Sequence, residues 1–222
     1  MDDWLQNYLD KYDRLLSEQK IAFSSKVIPV NESLEQVQHI LPSDQVEEIL
    51  RGAELITLAK CICRLKYNRC DKPLEVCFVL NAVGRKWIAD GYAREVTLQE
   101  ALEVIVQANQ HGLIHLSLYM PDHQLFALCS CCSCCCHDLQ LLLAYGKDYV
   151  TVKSDYLAVD APETCSHCGL CIDRCQFKAR RLEKDKMVYD QDRCYGCGLC
   201  RTTCPENCIQ LLRRENLCPE NY

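Results

Sequence analysis

Apolar residues recur at helical spacing from the start of the chain. Trp4, Leu5, Tyr8, Leu9, Tyr12, Leu15 and Leu16 form one stripe, with acidic residues on the polar side. The pattern predicts a helical N-terminal arm, residues 1–40, that ends in an irregular segment. Its acidic side suits packing on the protein itself rather than contact with a membrane. A second stripe, Val46, Ile49, Leu50 and Ala53, follows Pro42-Ser43-Asp44, which reads as a helix start. Thr97 and Glu100 form a capping box ahead of "LQEALEVIVQANQHG", so a helix is expected from Leu98 to Gln110, with Gly112 at its exit. The period then changes. "GLIHLSLYMPDHQLFALC" reads as two short strands around a Pro-Asp turn. Helices followed by such a hairpin suggest an α+β, winged-helix-like module over residues 41–160, with 150–162 as a connection. The helix that would read DNA, Leu98 to Gln110, carries no Lys or Arg. Phosphate contacts need cations, so no nucleic-acid partner is expected.

Twenty of the 222 residues are cysteine, a density that suggests disulfides in a short secreted chain. The N-terminus "MDDWLQNYLDKYDRLLSEQK" shows no apolar signal core, and runs such as "LQLLLAY" are too short to span a bilayer. The expectation is a soluble cytoplasmic protein, without membrane insertion, whose reduced thiols hold metal. The net charge of −6 is uneven: residues 163–222 carry ten Lys/Arg against nine Asp/Glu, and residues 1–162 fifteen against twenty-two. No basic patch points to nucleic acid. No glycine-rich nucleotide fingerprint supports flavin or nicotinamide binding.

"CSHCGLCIDRC" from Cys165 and "CYGCGLCRTTCP" from Cys194 both spell C-x2-C-x2-C-x3-C, and they start 29 residues apart. Two C-x-x-C turns let three thiolates wrap one iron–sulfur cluster, while the fourth cysteine points across to a partner cluster. Gly169 and Gly198 sit inside these turns, where backbone without a Cβ can approach inorganic sulfide. Zinc sites use knuckles separated by a longer loop and do not need four cysteines in one run. On these motifs, residues 161–214 resemble the bacterial two-cluster ferredoxins. The resemblance implies a ferredoxin-like domain over 161–214, followed by a tail, 215–222. It implies one [4Fe–4S] cluster on Cys165, Cys168, Cys171 and Cys204, and a second on Cys194, Cys197, Cys200 and Cys175. "RRLEKDKMVYD", between the runs, reads as the hairpin such a fold requires. Two departures stand out. Gln176 follows Cys175 where proline is usual, as Pro205 follows Cys204. Cys208 takes an apolar position, aligned with Ala179, and reads as a buried thiol rather than a ninth ligand. Cys218 is given no role.

Ten cysteines lie upstream. "CICRLKYNRCDKPLEVC" supplies Cys61, Cys63, Cys70 and Cys77, and "CSCCSCCC" supplies Cys129, Cys131, Cys132, Cys134, Cys135 and Cys136. The first four could hold a further cubane, and Cys129, Cys132 and Cys135 with one other cysteine another. Ligation mixed between the two stretches would serve equally. One or two additional iron–sulfur clusters are therefore expected, with zinc or buried free thiols as the alternatives. Neighbours such as Cys131 and Cys132 point in different directions in a regular element, so the string suits two sites, or one site with cysteines left over. His115 and His137 read as structural. Residues 45–214 also resemble uncharacterised 4Fe–4S dicluster-domain proteins of anaerobes, through Cys61-Ile62-Cys63-Arg64, Gly112 to His115, and Cys129 to Cys136. That resemblance implies one redox unit and no particular substrate.

The expected function is iron–sulfur electron transfer. Single electrons pass through two [4Fe–4S] clusters and the further clusters, to or from a redox partner protein or oxidoreductase complex. A carrier or complex subunit fits better than a stand-alone enzyme. A cluster- or dithiol-based reductase acting at the upstream cysteines and an iron–sulfur redox sensor are the alternatives.

Overall fold

The computed structural model describes residues 1–29, 44–121 and 124–216. The expected helix-start residues Pro42 and Ser43, the Asp of the Pro-Asp turn, and Cys218 lie outside the described residues. Helices and strands alternate: α1 (Asp3–Ser17), β1 (Ser25–Ile28), α2 (Asp44–Arg51), β2 (Ile56–Lys60), α3 (Ile62–Tyr67), β3 (Glu75–Leu80) and α4 (Asn81–Ala89). Then come β4 (Ala93–Glu95), α5 (Leu98–Gln110), β5 (Ile114–Tyr119), β6 (Leu125–Cys131), α6 (His137–Tyr145) and β7 (Thr151–Val152). The C-terminal part adds β8 (Tyr156–Asp160), α7 (Leu170–Arg174), β9 (Arg180–Glu183), β10 (Lys186–Tyr189) and β11 (Ile209–Arg213). Among the described residues no helix is long and apolar enough to cross a membrane.

A seven-stranded sheet, ordered β4-β2-β3-β6-β5-β1-β7, forms the centre. All its pairings are antiparallel except β1 with β7. Strand alternation gives it two unlike faces. One is aliphatic: Ile56 and Leu58 of β2, Phe78 and Leu80 of β3 and Leu128 of β6 pack with Val46 and Leu50 of α2 and Ala101 and Ile105 of α5. Thr97 caps α5, its hydroxyl accepting from the Glu100 N–H at 3.2 Å, while the Glu100 carboxylate pairs with Arg94 instead of closing the expected capping box. The opposite face carries Cys77, Cys129 and Cys131, and α4 lies close to it. A Cβ on Gly84 would stand 2.7 Å from the Val79 carbonyl oxygen, so glycine permits that approach.

The mixed α and β content matches the expectation, but the winged-helix arrangement is not what forms. The expected hairpin exists as β5 and β6, yet β3 and β1 pair with its outer edges. Ile114 to Ser117 are buried on both faces of β5, which suits a central strand and not a solvent-facing wing. The N-terminal helix also does not stand apart as an arm. Its stripe residues Leu5, Leu9 and Tyr12 pack with Leu141 of α6 and Val150, and the chain then enters the sheet as β1. The expected connection, 150–162, is structured as well. It contains β7 and β8, and β8 pairs with β11 from Tyr156↔Arg213 to Ile209↔Asp160. The C-terminal sheet therefore begins before residue 161. Between the two cysteine runs β9 and β10 form the expected hairpin.

The C-terminal part docks on the end of α5. Arg174 donates to the carbonyls of Asn109 at 2.6 Å and Gln110 at 3.2 Å, in the last turn of that helix.

Candidate metal centres

Two small cavities lie in the C-terminal part. Cys165, Cys168, Cys171 and Cys204 line the first, together with Cys208 beyond the second run. Cys175, Cys194, Cys197 and Cys200 line the second. Each set takes three cysteines from one run and the fourth from the other, the grouping that the ferredoxin resemblance implied. Backbone shape makes this convergence possible. Gly169 (φ 81°) and Gly198 (φ 79°) adopt left-handed conformations, as does Gly196 (φ 68°). Gly196, which the motif alone did not single out, is the most constrained: a Cβ there would lie 2.1 Å from the Tyr156 carbonyl oxygen.

The donor set fits [4Fe–4S] groups, with four soft sulfur ligands around each gap. Burial pushes the Cys200 thiol up to about 12 and the Cys197 thiol well above its ordinary value. Thiolates buried so deeply need a cationic centre to hold them deprotonated. Arg180 lines both cavities and pairs with both oxygens of Asp160 at 2.6 Å, its side chain almost fully buried. Cys208 is buried with its sulfur 3.3 Å from that of Cys204, and burial pushes its thiol up to about 12.

The ten upstream cysteines divide into two sets that cut across the two sequence stretches. The β3–β6 register places Cys77 opposite Cys129, and Cys131, two residues further along β6, shares that face. Cys61 is the N-cap of α3, Cys63 lies in its first turn, and Cys136 is the N-cap of α6. Each of these six sulfurs interacts electrostatically with two others, which orders them as a closed ring: Cys61, Cys63, Cys136, Cys131, Cys129, Cys77 and back to Cys61. Roles alternate around it. Neighbouring sulfurs hold Cys61, Cys129 and Cys136 below the ordinary thiol range, and Cys129 falls to about 6. The same neighbours, together with burial, push Cys63, Cys77 and Cys131 up.

The ring borders a cavity of about 340 Å³ that is also lined by Tyr8, Tyr12, Trp87, Phe126 and His137. His137 is buried and stacks on Tyr8 at 3.9 Å between ring centroids. Its Nδ1 lies 3.2 Å from the Cys63 sulfur, and its Nε2 lies 2.8 Å from the Tyr12 hydroxyl and 3.1 Å from Asp138 Oδ1. Burial pulls its pKa down, but Asp138 and the neighbouring thiolates outweigh that and raise it to about 9.

The second set is Cys70, Cys132, Cys134 and Cys135, whose sulfurs all lie within 4.8 Å of one another. Cys132 leaves the strand and starts a turn in which the Cys135 and Cys136 N–H groups donate to its carbonyl. That turn carries Cys132, Cys134 and Cys135 to the far side, where Cys70 meets them. The sites expected from sequence are thus regrouped. Cys61, Cys63, Cys70 and Cys77 do not form one set, since Cys70 separates from the others. Cys129 likewise separates from Cys132 and Cys135. The cause is the pleat of β6 followed by a turn, which sends neighbouring cysteines to opposite sides. Cys131, Cys134 and Cys136, to which the sequence assigned no site, complete the two sets. Among the nineteen described cysteines none forms a disulfide.

His115 stays away from both sets. It bonds Ser130 Oγ at 3.0 Å and Asn109 Oδ1 at 2.6 Å, and burial lowers its pKa to about 4. Gln176 has a task that proline could not perform. Its side chain accepts from the Ser133 N–H at 2.6 Å and donates to the Gly112 carbonyl, tying the turn of the second upstream set to the residue after Cys175.

Residues 164–208 match the family model of the 4Fe–4S dicluster domain. An uncharacterized protein of Methanothermobacter thermautotrophicus is 29% identical over 59 residues, 27% of this chain. The chain covers 13% of the length of that curated relative. The family match and the cysteine-lined cavities mark the C-terminal segment as similar to 4Fe–4S dicluster domains.

Proposed function

We propose that the protein is a cytoplasmic electron-transfer protein in which Cys165, Cys168, Cys171 and Cys204 hold one [4Fe–4S] cluster and Cys175, Cys194, Cys197 and Cys200 a second. Single electrons pass between a redox partner protein, or oxidoreductase complex, and the upstream cysteines. The observation that carries this reading is the pair of cavities, each lined by three thiols of one run and one of the other, with Cys208 beside the first. When bound, each cluster supplies a one-electron couple.

The chain's own residues give the route two ends. Cys168 is exposed, and Leu170 and Leu182 nearby are large apolar residues left at the surface, which suits a docking partner. The second site is buried. Cys175 and Cys197 pack in one apolar cluster with Phe177, Leu199 and the ring cysteines Cys131 and Cys136, which excludes water between the two regions. Arg180 places a buried positive charge between the two C-terminal sites. Anaerobic reductive titration tests the reading. At least two electrons per chain should enter and leave reversibly, and a chain that takes up none would overturn it.

One observation favours the reductase alternative: the ring of thiols and His137 face a cavity large enough for a small molecule. In that version a bound disulfide takes two electrons, delivered through the C-terminal sites, and two protons, and leaves as two thiols. Reoxidation of reduced protein by a small disulfide, lost in Cys136→Ser, would establish it. Reoxidation equally fast in that variant would remove it.

A further inference from the structure

We propose that Cys70, Cys132, Cys134 and Cys135 hold a single zinc ion in a closed tetrathiolate site, and that these four cysteines take no part in an iron–sulfur cluster. Geometry points to one ion. Zinc–thiolate bonds of about 2.3 Å in a tetrahedron place the sulfurs about 3.8 Å apart. Cys70 and Cys132 are separated by 3.8 Å, and no pair in the set exceeds 4.8 Å. A cubane sets each thiolate on a different iron with sulfide between, so its ligands stand around a gap, as the C-terminal sets do. None of these four cysteines lines the large cavity that the six-sulfur ring borders.

A second observation points to negative charge here. Arg64 is 2% exposed and donates to the Pro73 and Ser130 carbonyls, while its Nε is buried without a hydrogen-bond partner. Its guanidinium lies between Cys61 of the six-sulfur ring and Cys132 of this set. Backbone carbonyls and neutral thiols leave a buried cation uncompensated, which is costly. Four thiolates on a dication leave two net negative charges, which add to the compensation that Cys61 gives Arg64.

The surroundings fit a structural site. Arg69 donates to the Cys134 carbonyl at 3.2 Å and to Gln140 at 2.8 Å, and Gln140 donates to the Cys135 carbonyl at 2.9 Å. Four protein ligands leave no open position on the metal, as structural zinc sites require. The ion would staple the segment after α3 to the turn after β6. Those two segments are flanked by the ring cysteines Cys63, Cys77, Cys131 and Cys136, so zinc sets the frame in which the six-sulfur ring is held. Zinc has no redox chemistry, so this site stands independently of the electron-transfer reading.

The test is metal analysis of the full-length protein, purified anaerobically from cells supplied with excess iron, together with zinc-edge X-ray absorption. The expected result is about one zinc per chain with four sulfur neighbours at about 2.3 Å. Cys134→Ser should lose that zinc while iron stays constant, and Cys208→Ser should keep it. Wild-type protein without zinc, zinc bound by nitrogen or oxygen, or a loss of iron in Cys134→Ser would each overturn the proposal. Should Cys134→Ser fail to fold, the absorption spectrum of the wild type decides alone. Iron content reports separately on the C-terminal clusters, so the two readings fail by different signs.

Discussion

The two cysteine-rich regions use the same ligand on different kinds of backbone. In the C-terminal part the cysteines sit on irregular turns, with Gly169, Gly196 and Gly198 at positive φ, and the side chains converge around two gaps. Upstream, they sit on strands β3 and β6, at the N-caps of α3 and α6, and in one tight turn. A turn can aim successive ligands at one point. A strand cannot, because its pleat sends neighbours to opposite faces. The same residue type therefore yields local, repeat-coded sites in one region and long-range, fold-coded sites in the other.

Four substitutions break or sharpen that contrast. Cys197→Ser carries the largest expected effect. Iron should fall by about four per chain, because one of two [4Fe–4S] clusters loses a ligand, while the upstream metal stays. Undiminished iron would mean that the repeat does not code a site. Arg180→Leu comes next, since it strands Asp160 without its buried partner. A loss of about 3–5 kcal/mol is expected in denaturant melts. Removing the cation between the two sites should also lower both reduction potentials, and unchanged potentials would place its charge elsewhere in the energetics.

Gln176→Pro restores the usual ferredoxin residue but removes both bonds to the upstream module. It should cost about 1–3 kcal/mol, through the Ser133 N–H and Gly112 carbonyl left without partners, with iron content unchanged. Stability equal to wild type would show that the two regions are not joined there. The smallest effect belongs to His115, on the face away from the cysteine ring. Burial lowers its folded pKa from 6.5 to about 4. Below its unfolded pKa the unfolded chain binds a proton that the folded one refuses, so stability falls as pH drops. The loss should be about 1 kcal/mol between pH 7 and about pH 5.5. His115→Gln should flatten that slope, and an identical slope would mean that another group titrates.

Much of the fold was legible locally. The helix from Leu98 to Gln110 appears with Thr97 as its N-cap, because both signals are short-range. The amphipathic stripe of α1 and the hairpin of β9 and β10 appear for the same reason. The seven-stranded sheet was not legible, since β1 and β7 find their places through pairings with no local signature. At the candidate sites, the grouping of the C-terminal cysteines around their cavities follows from fixed spacing. The upstream sets depend on the register of Cys77 against Cys129 and on where β6 ends, and neither can be read before the sheet is known. Gln176 looked like a defect in a motif and became intelligible only with Ser133 and Gly112 beside it.

Iron and acid-labile sulfide on anaerobically purified full-length protein, with the low-temperature resonance spectrum of the reduced form, test the central claim most directly. The account predicts at least about eight iron and eight sulfide per chain, with paramagnetic reduced clusters. Fewer than about eight iron in wild-type protein with intact thiols, or a reduced form with no cluster signal, would contradict it.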